Sequence, residues 1–239
     1  MLRPGLLDGV SIVLAGPPAP AAEEGSSPGA LIAATCADLG ARVLTCALGE
    51  GEGSGEQPGE GVADDAIDVT VDRALADAGS VELLAVDGAA LFAHAATAGG
   101  GPDAGRRALR VCLDASWNVT RAVANRAFLA GGRGGRIVFV APSPAGGEHA
   151  GAARAGLENL ARTLSVEWAR HAITAVTIVP ATAPTMTATA ELATLTAYVA
   201  SPAGAYFSGC LLDLSGSGVG FALVRQNGPS PRADGTSGH

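Results

Sequence analysis

Apolar runs rich in β-branched residues recur along the chain, and between them apolar positions fall at helical spacing. Runs without polar alternation are those of strands buried on both faces, as in a parallel sheet. They predict strands over 10–15, 42–46, 81–86, 136–140, 172–179 and 210–214. The periodic segments predict helices over 30–39, 105–129, 150–171 and 191–200, with a short, poor one over 71–78. Within 150–171, Ala153, Leu157, Leu160, Leu164 and Trp168 share one face, expected to pack inside the monomer. A smaller set, Ala161, Ser165 and Ala169, is spaced to admit a neighbouring helix. Strand and helix alternate, so the expected class is α/β: a single Rossmann-type, doubly wound parallel sheet flanked by helices.

Two stretches break the pattern. Residues 49–61, GEGEGSGEQPGEG, contain no apolar side chain and are expected to form a mobile acidic surface loop. Residues 225–239 read as a disordered tail, which leaves 1–224 as one domain. With 239 residues, 48% of them apolar, the chain can bury one such core.

All 15 basic residues are arginine, and no lysine occurs anywhere. That excludes a Schiff-base lysine, a phosphate-loop lysine and a tyrosine–lysine proton relay. A formal net charge of −8, with Arg106, Arg107 and Arg110 as the one basic cluster, argues against nucleic acid as a partner. Cys36, Cys46, Cys112 and Cys210 form no CxxC pair and have no His at ligand spacing, so no metal is expected. They read as small hydrophobes of a reduced, cytoplasmic protein. The run at 10–15 is too short for a signal segment or a membrane span, and no membrane association is expected.

The segment from Gly134, GGRIVFVAPSPAGGEHAGAARAGLENLARTLSVEWARHAITAVTIVPATAPT, resembles the second half of the short-chain dehydrogenases/reductases. In that family a strand like RIVNISS leads to YxxxK on a long helix and then to a strand ending PGxxxT. The resemblance extends to Leu39-Gly40-Ala41-Arg42-Val43, to Asp68-Val69-Thr70 as the DVT bordering the adenine pocket, and to FSGCLLDLSG as the closing strand, so that it spans roughly residues 6–220. It implies a tetrad in which tyrosine exchanges the substrate proton, lysine lowers its pKa, serine orients the substrate oxygen and asparagine completes a water relay. Those positions fall here on Ala150, Arg154, Pro142 (with Ser143 one residue late) and Cys112, and all four are changed. Tyr198 and Tyr206 lie near the C-terminus, and neither is followed by a basic residue four positions on.

The cofactor loop that the resemblance implies, TGxxxGxG, is replaced after Gly16 by PPAPAAEEGSSPGAL, where Glu23 and Glu24 stand in place of anion-binding backbone. Ser27 and its neighbours read better as helix-capping residues than as an anion nest. The NNAG of the family is Val86-Asp87-Gly88-Ala89, and the second strand ends at Cys46-Ala47 without the acidic residue of an NAD-selective member. Gly16 and Asp68 are the remnants of the cofactor site, and no cofactor is expected. Only five residues separate Thr185 from Glu191, too few for the family's lid.

The expectation is a catalytically inactive relative, similar to the non-catalytic subunits of heteromeric short-chain dehydrogenases. It would be a structural or regulatory subunit in a hetero-oligomer, such as a heterotetramer, with an active paralogue, or an assembly with itself. Two alternatives stand beside it. One is a non-redox isomerase or dehydratase using His149, Arg154, Asp114 or Cys112; the other is a small-molecule binding module.

Overall fold

Six parallel strands lie in the order β2-β1-β3-β4-β5-β6 in a computed structural model that describes residues 2–18, 27–48, 62–98, 101–143, 145–183 and 185–216. They are β1 (Ser11–Gly16), β2 (Arg42–Ala47), β3 (Leu83–Asp87), β4 (Gly135–Val140), β5 (Ile173–Val179) and β6 (Leu211–Asp213). Each sits within two residues of its sequence expectation. The reason is burial on both faces: β3 and all but the ends of β1, β4 and β5 are closed to solvent, and such strands write themselves as apolar runs.

Alternate residues divide between two cores. Ile12, Leu14, Leu83, Ala85, Val138 and Val140 face α1 (Pro28–Asp38) and α6 (Met186–Ala200), where Ile32, Cys36, Leu192 and Ala197 meet them. Val13, Ala15, Leu84, Val86, Ile137 and Phe139 face the opposite layer. That layer contains α2 (Val62–Ala78), α3 (Gly88–Thr97), α4 (Ala104–Val123) and α5 (Ala150–Glu167). Leu157 and Leu164 of α5 and Val119 and Val123 of α4 are shut off completely or nearly so.

Three elements depart from expectation. Helix α3 was not predicted, because Gly88 directly after a strand reads as a breaker; instead Asp87 ends β3 and also caps α3, with no loop between. Helix α2 is 17 residues long and reaches back to Val62, and Arg126 bonding to Asp68 and Asp72 holds its polar side. The predicted helix over 105–129 runs as α4 and then widens into a π turn, Ala124–Leu129. The acidic stretch 49–61, the tail 225–239, Glu23 and Glu24 lie outside the described residues.

Candidate functional site

Between β1 and β3 the strand order reverses direction, and in open α/β sheets the crevice at the carboxyl ends of such strands is the ligand site. Gly16 ends β1 and Asp87 ends β3, so both stand at that crevice. Helix α1 begins above it. Ser27 is its N-cap, with Oγ accepting from Ala30 N at 3.1 Å, and Pro28 follows as a first-turn residue without an N–H. The capping reading of this serine therefore holds.

Asp87 is 3% exposed. Its Oδ1 accepts from Ala90 N at 2.9 Å, and its Oδ2 lies 3.4 Å from where a Cβ on Gly29 would stand. Burial pushes its carboxyl up to about 6 from an ordinary 3.8, against the weaker opposing pull of the Ala90 N–H. A diphosphate needs donors and cations here; among the described residues the end of β3 offers it a carboxylate, which does not fit. Sequence reading named Asp87 only as a missing asparagine, because its burial depends on α1 crossing over the end of β3.

Next to Asp87, Gly88 is tightly enclosed. A Cβ there would stand 2.8 Å from Leu157 Cδ1, 3.0 Å from the Val140 carbonyl oxygen and 3.4 Å from Cys112 Sγ. Cys112 is wholly buried and donates to the Gly88 carbonyl at 3.3 Å. Burial, reinforced by the charge of Asp87, pushes its thiol up to about 12, which keeps it in the neutral form. Asp114, two residues on, is exposed on another side of α4.

Ala150 opens α5 with its methyl fully buried where the resemblance placed a tyrosine. Arg154, one turn on, is half-buried, with no hydrogen bond or ion pair to another described residue. His149 has a left-handed backbone, φ 65°, and its Nε2 is 3.4 Å from Oε1 of the neighbouring, exposed Glu148. Pro142 is buried just past β4, and the Ser143 hydroxyl accepts from Ala145 N within its own turn. Tyr198 lies on α6, across the sheet from α5, with its ring edge-on to Phe207; Tyr206 is 91% exposed. Thr185 caps α6 directly, its Oγ1 accepting from Ala188 N at 3.1 Å, so the helix starts where the family's lid would stand.

The structure also locates two sets of residues that the sequence singled out. Asp68, matched to the DVT that borders the adenine pocket, lies inside α2 with its carboxylate held by Arg126 at 2.5 Å. Ala161 is 1% exposed within the core of the monomer, and Ser165 is covered by Gly209, which leaves Ala169 as the one exposed member of that set. Sequence spacing separated two faces of α5, but β5 and the segment leading into β6 cover both. Among the described residues no three His, Cys, Asp or Glu side chains converge as a metal site, and no helix is long and apolar enough to cross a membrane.

Comparison with known proteins agrees on the fold. No curated protein sequence matches the chain. A short-chain dehydrogenase from Mycobacterium smegmatis is similar in structure, with a TM-score of 0.66 and 23% identity over 89% of this chain and 94% of that one. A hydroxysteroid dehydrogenase from Escherichia coli superposes with a TM-score of 0.65 and 19% identity over 90% of this chain and 99% of the other. A short-chain dehydrogenase/reductase from Serratia marcescens gives 0.65 and 18%, covering 87% and 97%. The family model for short chain dehydrogenases matches residues 26–196, most of the chain, and the six-stranded parallel sheet has helices on both faces. The chain belongs to the short-chain dehydrogenase family.

Proposed function

We propose that this chain is a short-chain dehydrogenase fold without hydride-transfer chemistry of its own, acting as a structural or regulatory subunit beside an active paralogue or a second copy of itself. The observation that carries this reading is the buried methyl of Ala150 in place of a proton-donating hydroxyl. No rotation of neighbouring groups replaces it: Ser143 is bonded in its own turn, and Cys112 is buried and neutral. A general acid or base normally contributes a factor of about a hundred or more.

Exposed apolar groups on the outer helices support the subunit role. Trp117 on α4 is 41% exposed and Val166 on α5 is 77% exposed. The two helices approach closely where Gly156 meets Leu113, one turn before Trp117. Exposed side chains of this kind suit the helices of another subunit, since large apolar side chains are favoured at the centre of interfaces.

Light scattering on the chain alone, and mixed with an intact family member from the same source, tests the reading. Trp117→Arg combined with Val166→Arg is expected to dissociate the assembly while leaving the circular dichroism unchanged. Turnover of a carbonyl or alcohol substrate by the purified chain alone overturns the reading. A wild type that is monomeric under both conditions removes the subunit role and favours the binding-module alternative.

A further inference from the structure

The carboxylate at the crevice is more than the absence of a family asparagine. We propose that Asp87 sets the ligand preference of the β1/β3 crevice against diphosphates, by holding a carboxylate of the chain's own beneath the first turn of α1. The inference rests on the reading that the chain runs no nucleotide-dependent hydride transfer.

Three observations place the charge. Position 87 belongs to the face of β3 that looks toward α1, together with Leu83 and Ala85. The Cβ of Asp87 lies 3.5 Å from where a Gly16 Cβ would stand, and Oδ2 lies 3.4 Å from that of Gly29, so the group spans the gap between β1 and α1. Among the described residues no cation pairs with it, and Ala90 N is the one N–H it is given. Helix N-termini attract anions through their free N–H groups and dipole. At this one a bound diphosphate would have to place its own charge beside the Asp87 carboxylate. Two like charges in a partly dry site repel strongly.

Capping of α3 is the simpler role for Asp87, and the two roles separate by substitution. Asparagine keeps the oxygen that accepts from Ala90 and removes the charge; serine also caps but is shorter. ADP and adenosine are titrated by calorimetry into full-length wild type, Asp87→Asn and Asp87→Ser at pH 8. Wild type is expected to show no saturation at millimolar ADP. Both variants are expected to bind ADP about tenfold tighter or more, with adenosine indifferent to the change. If the variants are folded and bind ADP no better than wild type, Asp87 is not the determinant, and the subunit reading stands. An equal gain for adenosine and ADP makes shape the cause and also overturns the proposal. Micromolar ADP binding by wild type defeats this inference and counts against the reading beneath it.

Discussion

At the amino edge of the sheet, Glu82 Oε2 accepts from Ser11 N at 2.8 Å, and half-buried Arg136 donates to the carbonyl of Ala200; burial pulls the guanidinium's pKa down and the charge of Glu82 works against that. Arg42 donates in the same way to the Asp77 carbonyl. At the carboxyl edge Asp87 is buried with one N–H and, among the described residues, no cation. Both edges bring charge out of water, but the first sets opposite charges, Glu82 and Arg136, near enough to act on each other, and the second leaves one carboxylate with a backbone N–H alone. A charge buried with a partner holds strands and helices together, whereas one buried without a partner costs stability and persists where something other than stability requires it. Paired edges of this kind serve the fold, and the carboxyl edge is where a ligand preference is to be sought.

The sharpest way to break the contrast is to ask whether the carboxyl edge is dry. With a thiol reagent at pH 8, half-buried Cys210 is expected to react in the native protein. Cys112, buried and with its thiol pushed up to about 12, is expected to react about a thousandfold more slowly, through opening of the fold. Mass spectrometry of the labelled peptides reads the two rates. Comparable rates mean that water reaches the α4 side of the sheet beside Gly88 at the end of β3, and the contrast then fails.

Titration of Asp87 comes next. Its carboxyl holds a proton more tightly in the folded chain, about 6, than at its ordinary 3.8, so its contribution is fully favourable below about pH 4 and is lost as pH rises through about 6. The loss amounts to about 3 kcal/mol. Urea unfolding should therefore find Asp87→Asn more stable than wild type at pH 7 by up to that amount, with the gap closing toward pH 4. Parallel pH profiles would show that the carboxylate is not desolvated.

At the amino edge the sign reverses. Arg136→Met removes the cation beside Glu82 and the donor to Ala200, and is expected to cost about 1–2 kcal/mol at neutral pH. Adding Glu82→Gln should recover part of that cost in a double-mutant cycle, and full additivity would mean the two side chains do not interact.

The smallest effect is expected at Arg154 and His149, at the start of α5. Arg154→Ala should change stability by less than about 0.5 kcal/mol. Arg154→Ala and His149→Ala together should leave the activity of any complex containing this chain nearly unchanged. A hundredfold loss with the fold intact would return chemistry to this pocket.

The sequence by itself determined the sheet and, having no lysine, that no tyrosine–lysine pair stands in the chain. Strands buried on both faces have few residue types to choose from, and their apolar runs reveal them without an alignment. A chain with no lysine, and with Ala150 and Pro142 where hydroxyls were needed, cannot hide a tyrosine–lysine pair in any register. Local patterns failed where meaning depended on a neighbouring element. Asp68-Val69-Thr70 matched a short family motif and lies in a helix bound to Arg126; Ala161 is spaced to admit a neighbouring helix and is core of the monomer. Periodicity says which residues of one element share a side, while what covers that side is decided by the elements packed on it. Asp87 is the clearest case: as a letter after a strand it is an ordinary cap, and only the crossing of α1 over β1 and β3 removes it from water and turns it toward the crevice.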